Sequence, residues 1–131
     1  MNREITFRGK EKDTGKWKYG DLIVDFSLKN NYYIGDNDCN EVGDVYYQSY
    51  DVIPETIGQF TGLKDKNGKK IFEGDIVEEG CNGLISSVVW DNEIGTYKLK
   101  DLGDYYIKDA PIEWEVIGNI YEDNLESEVS K

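Results

Sequence analysis

Apolar and polar residues alternate with a period of two along much of this chain, the pattern of a strand with one buried face. Ile5 and Phe7 alternate with Glu4, Thr6 and Arg8. Asp13-Thr14-Gly15-Lys16 then supplies turn chemistry, because glycine takes positive φ without steric cost. Trp17, Tyr19 and the run Leu22-Ile23-Val24 predict the next strand or pair of strands. Asn31-Tyr32-Tyr33-Ile34 and Val45-Tyr46-Tyr47-Gln48 are aromatic and β-prone. Thr56 to Thr61 predicts another strand, followed by the turn Asp65-Lys66-Asn67-Gly68, whose Asn-Gly pair is a strong hairpin signal. Asp75-Ile76-Val77, Leu84 to Trp90, Thr96 to Leu99, Tyr105 to Lys108 and Glu115 to Tyr121 complete the strands, with Leu84 to Trp90 the longest apolar one. Alanine is nearly absent, so helix is limited to a turn near Lys69–Glu73 or the tail. The acidic, glycine-bounded stretch Gly35 to Asp44 is expected as an exposed loop. With 14 glycines and short, evenly spaced strands, the fold is expected to be mainly β, built from small barrel or curled-sheet units.

The pattern also occurs twice. Phe7, Lys12-Asp13-Thr14-Gly15-Lys16 and Tyr19-Gly20-Asp21-Leu22-Ile23-Val24 match Phe60, Asp65-Lys66-Asn67-Gly68-Lys69 and Glu73-Gly74-Asp75-Ile76-Val77. Gly15 lies 8 residues after Phe7, and Gly68 lies 8 after Phe60. Ile57-Gly58-Gln59-Phe60 and Ile117-Gly118-Asn119-Ile120 add a third match. A repeat of this length points to one supersecondary unit used twice. The expectation is one domain over residues 1–123, made of related lobes at about 1–58 and 59–123, with 124–131 a frayed polar tail. Gly15 and Gly68 are expected in equivalent turns. Gly20-Asp21 and Gly74-Asp75 are expected to be structural, each carboxylate fixing a turn by accepting backbone N–H groups.

Composition narrows the chemistry. The chain has 27 acidic and 15 basic residues, a net charge of −12, and no histidine. The charge argues against nucleic-acid binding, which needs a cationic face to displace counterions. The missing histidine removes Ser-His and Cys-His nucleophile pairs. Cys39 and Cys81 form no zinc pattern, and they are expected to remain reduced thiols. The opening Met1-Asn2-Arg3-Glu4-Ile5 has no apolar signal core and no apolar run reaches membrane-spanning length, so a cytoplasmic location is expected. Asp36-Asn37-Asp38-Cys39-Asn40-Glu41 spaces oxygen ligands as a calcium loop does, but Glu41 and Tyr47 stand where that loop needs glycine and a bidentate glutamate. No metal, cofactor or catalytic residue is therefore assigned.

The chain has 3 tryptophans and 10 tyrosines. Tyr32-Tyr33, Tyr46-Tyr47 and Tyr105-Tyr106 are adjacent pairs. Neighbours on a strand point to opposite faces, so one ring of each pair leaves the local core. These six tyrosines are the candidate interface of a homo-oligomer.

Several blocks resemble one family. They are Arg3-Glu4-Ile5 with Phe7-Arg8, the run Pro54 to Gly68, Ile71 to Val77, Val88-Val89-Trp90-Asp91, and Val116 to Glu122. Together they are similar to the YopX family of phage and prophage proteins, over about residues 1–123, with Asp25 to Asp51 least covered. The resemblance implies a phage or prophage origin, a β fold related to SH3-type small barrels, and a homo-oligomer. It implies no activity and no catalytic residues. The expected function is a non-enzymatic, self-assembling protein-interaction module that binds a host or phage protein. The alternatives are an acidic DNA-mimic decoy of a DNA-binding protein, a carboxylate-dependent hydrolase, and a nucleic-acid binder suggested by fold analogy alone.

Overall fold

The computed structural model describes residues 4–27, 31–80, 83–100 and 114–122. The chain divides into two compact units, Met1–Gln59 and Phe60–Lys131. The first holds β1 (Phe7–Lys10), β2 (Trp17–Asp25), β3 (Asn31–Cys39), β4 (Val45–Asp51) and a single 3-10 turn, Pro54–Thr56. Next comes β5 (Gly58–Lys64), which begins in the first unit and continues in the second. The second unit adds β6 (Lys70–Phe72), β7 (Asp75–Glu79), β8 (Ile85–Asp91), β9 (Thr96–Leu99) and β10 (Trp114–Asn119).

Among the described residues every pairing is antiparallel, in two sheets ordered β4-β3-β2-β1-β5-β6 and β10-β7-β8-β9. Neither sheet closes among the described residues, which corrects the expectation of small barrels. The first order ends at β4 and β6 and the second at β10 and β9, and neither pair of end strands is joined by a ladder among the described residues. The chain after β4 reaches only the end of β1, through the single bridge Glu11↔Val52.

In the first unit Ile34 and Val52 are fully buried, and Gly9 lies against Val52 because an added Cβ would meet its side chain at 3.0 Å. Thr56 locks the 3-10 turn: its hydroxyl donates to the Ile53 carbonyl and accepts the Lys10 N–H. In the second unit Ile71, Val77, Val88, Tyr97, Leu99, Trp114 and Val116 form one apolar cluster. Truncating one of its large members, such as Leu99, costs about 2–5 kcal/mol by lost transfer energy and the cavity left behind.

Three sequence expectations shift. The stretch from Gly35 to Asp44 is not all loop: Gly35–Cys39 is the second half of β3, and the turn is confined to Asn40–Asp44. Tyr32, Ile34, Asp36 and Asp38 continue one two-residue period, so strand geometry extends into the acidic run. The segment from Thr56 begins as the end of a 3-10 turn, because Pro54 fixes φ at a helix start, and the strand opens at Gly58. The helical turn is this one and not Lys69–Glu73, where Lys70–Phe72 is strand. The strand expected at Tyr105–Lys108 and the tail lie outside the described residues. No helix among the described residues is long and apolar enough to cross a membrane.

Candidate interaction edge on the first unit

The two Gly-Asp steps occupy similar places in the strand order. Trp17–Gly20 of β2 pair with β1, whereas Asp21–Asp25 pair with β3, so the ladder partner changes between Gly20 and Asp21. In the second unit β6 pairs with β5, and from Asp75 the chain pairs with β10 and β8. Gly15 and Gly68 both have left-handed φ, +72° and +84°, in the hairpin turns that precede these steps. Glu11 and Lys16 close the first turn, and Asp65 and Lys69 close the second.

The aspartates then diverge. Asp75 is 1% exposed and its Oδ2 accepts the Phe72 N–H at 2.7 Å. Asp21 is exposed, and its Oδ2 accepts the hydroxyl of Tyr47 at 3.2 Å. Asp65, one of the turn residues, is also buried. Burial pushes its carboxyl up, but N–H donors from Val116, Lys69 and Asn67 outweigh this and hold it below the usual carboxylate range.

Of the candidate tyrosines, Tyr32 and Tyr33 are half-buried on β3, whereas Tyr46 and Tyr47 on β4 are 43% and 53% exposed. Neighbouring side chains point to opposite faces, so the exposure of both rings means that neither face of β4 is covered at this point. Tyr105 and Tyr106 lie outside the described residues. Cys39 ends β3 as an exposed free thiol, and Cys81 lies outside the described residues. The structure therefore gathers Asp21, Tyr46 and Tyr47 at one edge and leaves Gly68, Gly74 and Asp75 in the other unit.

The edge has a defined polarity. The Val52 N–H donates to the Tyr32 carbonyl, which makes Val52 and Tyr32 a hydrogen-bonded pair. Antiparallel pairing alternates, so Tyr50, Gln48 and Tyr46 direct their backbone groups inward to Ile34, Asp36 and Asp38. Val45, Tyr47 and Ser49 then direct theirs outward. Asp51, the next in this series, already gives its carbonyl to the Lys12 N–H.

Carboxylates surround this edge. Asp38 lies opposite Tyr46 and raises its phenol, aided by desolvation and by Tyr50. Desolvation first, then Asp21 and Asp36, raises Tyr47. Desolvation, then Asp38, Glu11 and Asp36, raises Tyr50. The Lys18 ammonium sits 4.1 Å from the Tyr50 ring centroid, a cation–π contact. The Tyr47 ring crosses Gly35, where an added Cβ would stand 2.1 Å from the tyrosine oxygen.

Sequence reasoning did not place Asp36, Asp38, Lys18 or Gly35 at this edge. The signal for the strand placement of the two aspartates is the unbroken two-residue period from Tyr32, which the acidic, glycine-bounded composition of Gly35 to Asp44 masks. Their Oδ1 atoms accept the N–H groups of Asn37 and Cys39, as local side chain–backbone contacts. Among the described residues no group of three or more histidine, cysteine, aspartate or glutamate side chains is placed to hold a metal ion.

A family model described as YopX protein matches residues 6–126. The chain belongs to the YopX family. No curated protein matches it. Among solved structures it is similar to protein EF1440 from Enterococcus faecalis, at 22% identity and a TM-score of 0.59, covering 94% of this chain and 97% of that one. That likeness concerns the fold alone. The family match spans both the buried aspartates Asp65 and Asp75 and the β3–β4 edge.

Proposed function

We propose that this YopX-family chain is a non-enzymatic protein-interaction module, an accessory protein of phage or prophage origin, whose two units are related copies put to different uses. The observation behind the interaction reading is the β4 edge. Its residues Val45–Tyr50 are free of charge in a chain that is 32% charged, and five of those six are exposed. Exposed sheet edges usually carry lysine, proline or a bulge, or are very short, since an open row of backbone groups recruits other strands. At the opposite end of the same strand order, β6 has only 3 residues and begins with Lys70. β4 has 7 residues, with neither lysine nor proline.

The test compares wild type with Ser49→Pro. Proline there removes an outward N–H without touching the inward ladder. Light scattering and affinity capture from bacterial lysate are run on both proteins. The reading expects either a wild-type mass above 15.0 kDa or a retained protein, lost in the variant. Equal masses and equal captured proteins for the two would refute it.

A further inference from the structure

We propose that β4 accepts an extended segment of a partner protein as an added strand, and that this segment carries lysine or arginine at alternate positions. The inference rests on the interaction reading above and names the chemistry of the partner. Val45, Tyr47 and Ser49 supply the outward backbone groups, which an incoming strand pairs with whatever its sequence. Selectivity comes from the side chains beside them.

Tyr46, Gln48 and Tyr50 share one face of β4, and Asp36 and Asp38 share the same face of β3 through their pairing with Gln48 and Tyr46. Every second residue of an added strand falls on this face, next to two tyrosine rings and within the field of two carboxylates. An aromatic ring beside a carboxylate suits an ammonium or guanidinium group. The fold already provides an example, because Lys18 lies over Tyr50 and its Nζ is 3.9 Å from Glu11.

Charge complementarity decides between occupants. From Asn31 to Leu63 the sequence has Asp36, Asp38, Glu41, Asp44, Asp51 and Glu55 and no lysine or arginine. A second copy of this chain would bring an uncharged β4 flanked by the same carboxylates of β3 and the adjoining turns against this edge, and their like-charge repulsion opposes that pairing. A cationic segment meets attraction along the same edge.

The probe is a fluorescent ten-residue peptide alternating lysine and valine, titrated into the full-length protein at low salt. Controls are the glutamate–valine equivalent and a peptide of the same lysine–valine composition with the lysines in one block. The alternating lysine peptide is expected to bind at least about tenfold more tightly than either control, with affinity falling as salt screens the contact. Amide resonances of Val45, Tyr47 and Ser49 are expected to move. Ser49→Pro should remove binding, and the double variant Asp36→Asn with Asp38→Asn, which leaves the backbone untouched, should weaken it several-fold. Equal binding of the block peptide, preference for the glutamate peptide, or no binding overturns the proposed partner. Displacement of the peptide by self-association through β4 also overturns it, while sparing the interaction reading. Binding that leaves β4 resonances unmoved refutes both.

Discussion

The hairpin that begins at Phe7 and the one that begins at Phe60 read alike in sequence, yet they are held by different forces. The second is anchored from inside. Asp65 accepts the N–H groups of Asn67, Lys69 and Val116, and Asp75 accepts that of Phe72. Both carboxylates are buried, where an unmet N–H is costly. In the first hairpin Lys12 stands where Asp65 does in the second. It reaches outward to Asp51 at 3.4 Å, while Asp21 meets a tyrosine on the exposed edge. Matching dipeptides mark where the strands change partners; they do not reveal which carboxylate is buried. The comparison teaches that similar dipeptides can mark a buried polar anchor in one hairpin and an exposed side-chain contact in another.

The largest expected effects separate the two hairpins. Asp65→Ala leaves three N–H groups without their acceptor and is expected to destabilise the fold by about 3 kcal/mol. Asp75→Ala is expected to cost about 2–3 kcal/mol on the same ground. Lys12→Ala and Asp21→Ala are expected to stay within the scatter of surface substitutions. Chemical denaturation of the four variants checks this. Similar losses at Asp75 and Asp21 would break the comparison.

Gly20→Ala is next. Gly20 has φ +155°, and an added Cβ would stand 2.1 Å from the Gly35 carbonyl oxygen, a backbone atom that cannot swing aside. The β2–β3 ladder must shift, at a cost of roughly 2 kcal/mol by strain and overpacking. Gly35→Ala makes a useful contrast, because its clash is with the far end of the Tyr47 side chain. It is expected to displace that ring with little loss of stability, visible as a change in tyrosine fluorescence or in the Tyr47 ring resonances.

Acid sharpens the contrast further. The Asp65 carboxyl is held below its ordinary value of 3.8 in the folded state. It therefore contributes stability that is fully present above that value and lost as pH falls through the lower folded-state value. Denaturation midpoints below pH 4 are expected to drop more steeply in wild type than in Asp65→Asn, which has no proton to gain. Parallel curves would mean the N–H donors do not hold the carboxylate charged.

The smallest effect should be shared. Gly15 and Gly68 both have left-handed φ, with no atom closer than 3.8 Å to an added Cβ at the first and none within 4 Å at the second. Gly15→Ala and Gly68→Ala are each expected to cost about 1 kcal/mol, the conformational penalty alone. Unequal costs would show that the turns differ more than their dihedrals suggest.

Much of the strand order was legible because period-two alternation and turn residues are local signals. Thr96 to Leu99 and the Gly15 and Gly68 turns follow from them directly. The open sheets were not legible, since closure depends on whether the end strands of a sheet pair, a long-range matter. The edge itself was half visible. The tyrosine pairs mark β4, but acidic residues are poor strand formers, so the strand state of the β3 aspartates comes from pairing with Val45–Gln48 and not from their own composition.

Residue-resolved hydrogen exchange of the isolated protein tests the open edge most directly. Outward amides of Val45, Tyr47 and Ser49 are expected to exchange fast, alternating with slow inward amides of Tyr46, Gln48 and Tyr50. Uniform protection along β4 would show the edge already covered and would contradict the account.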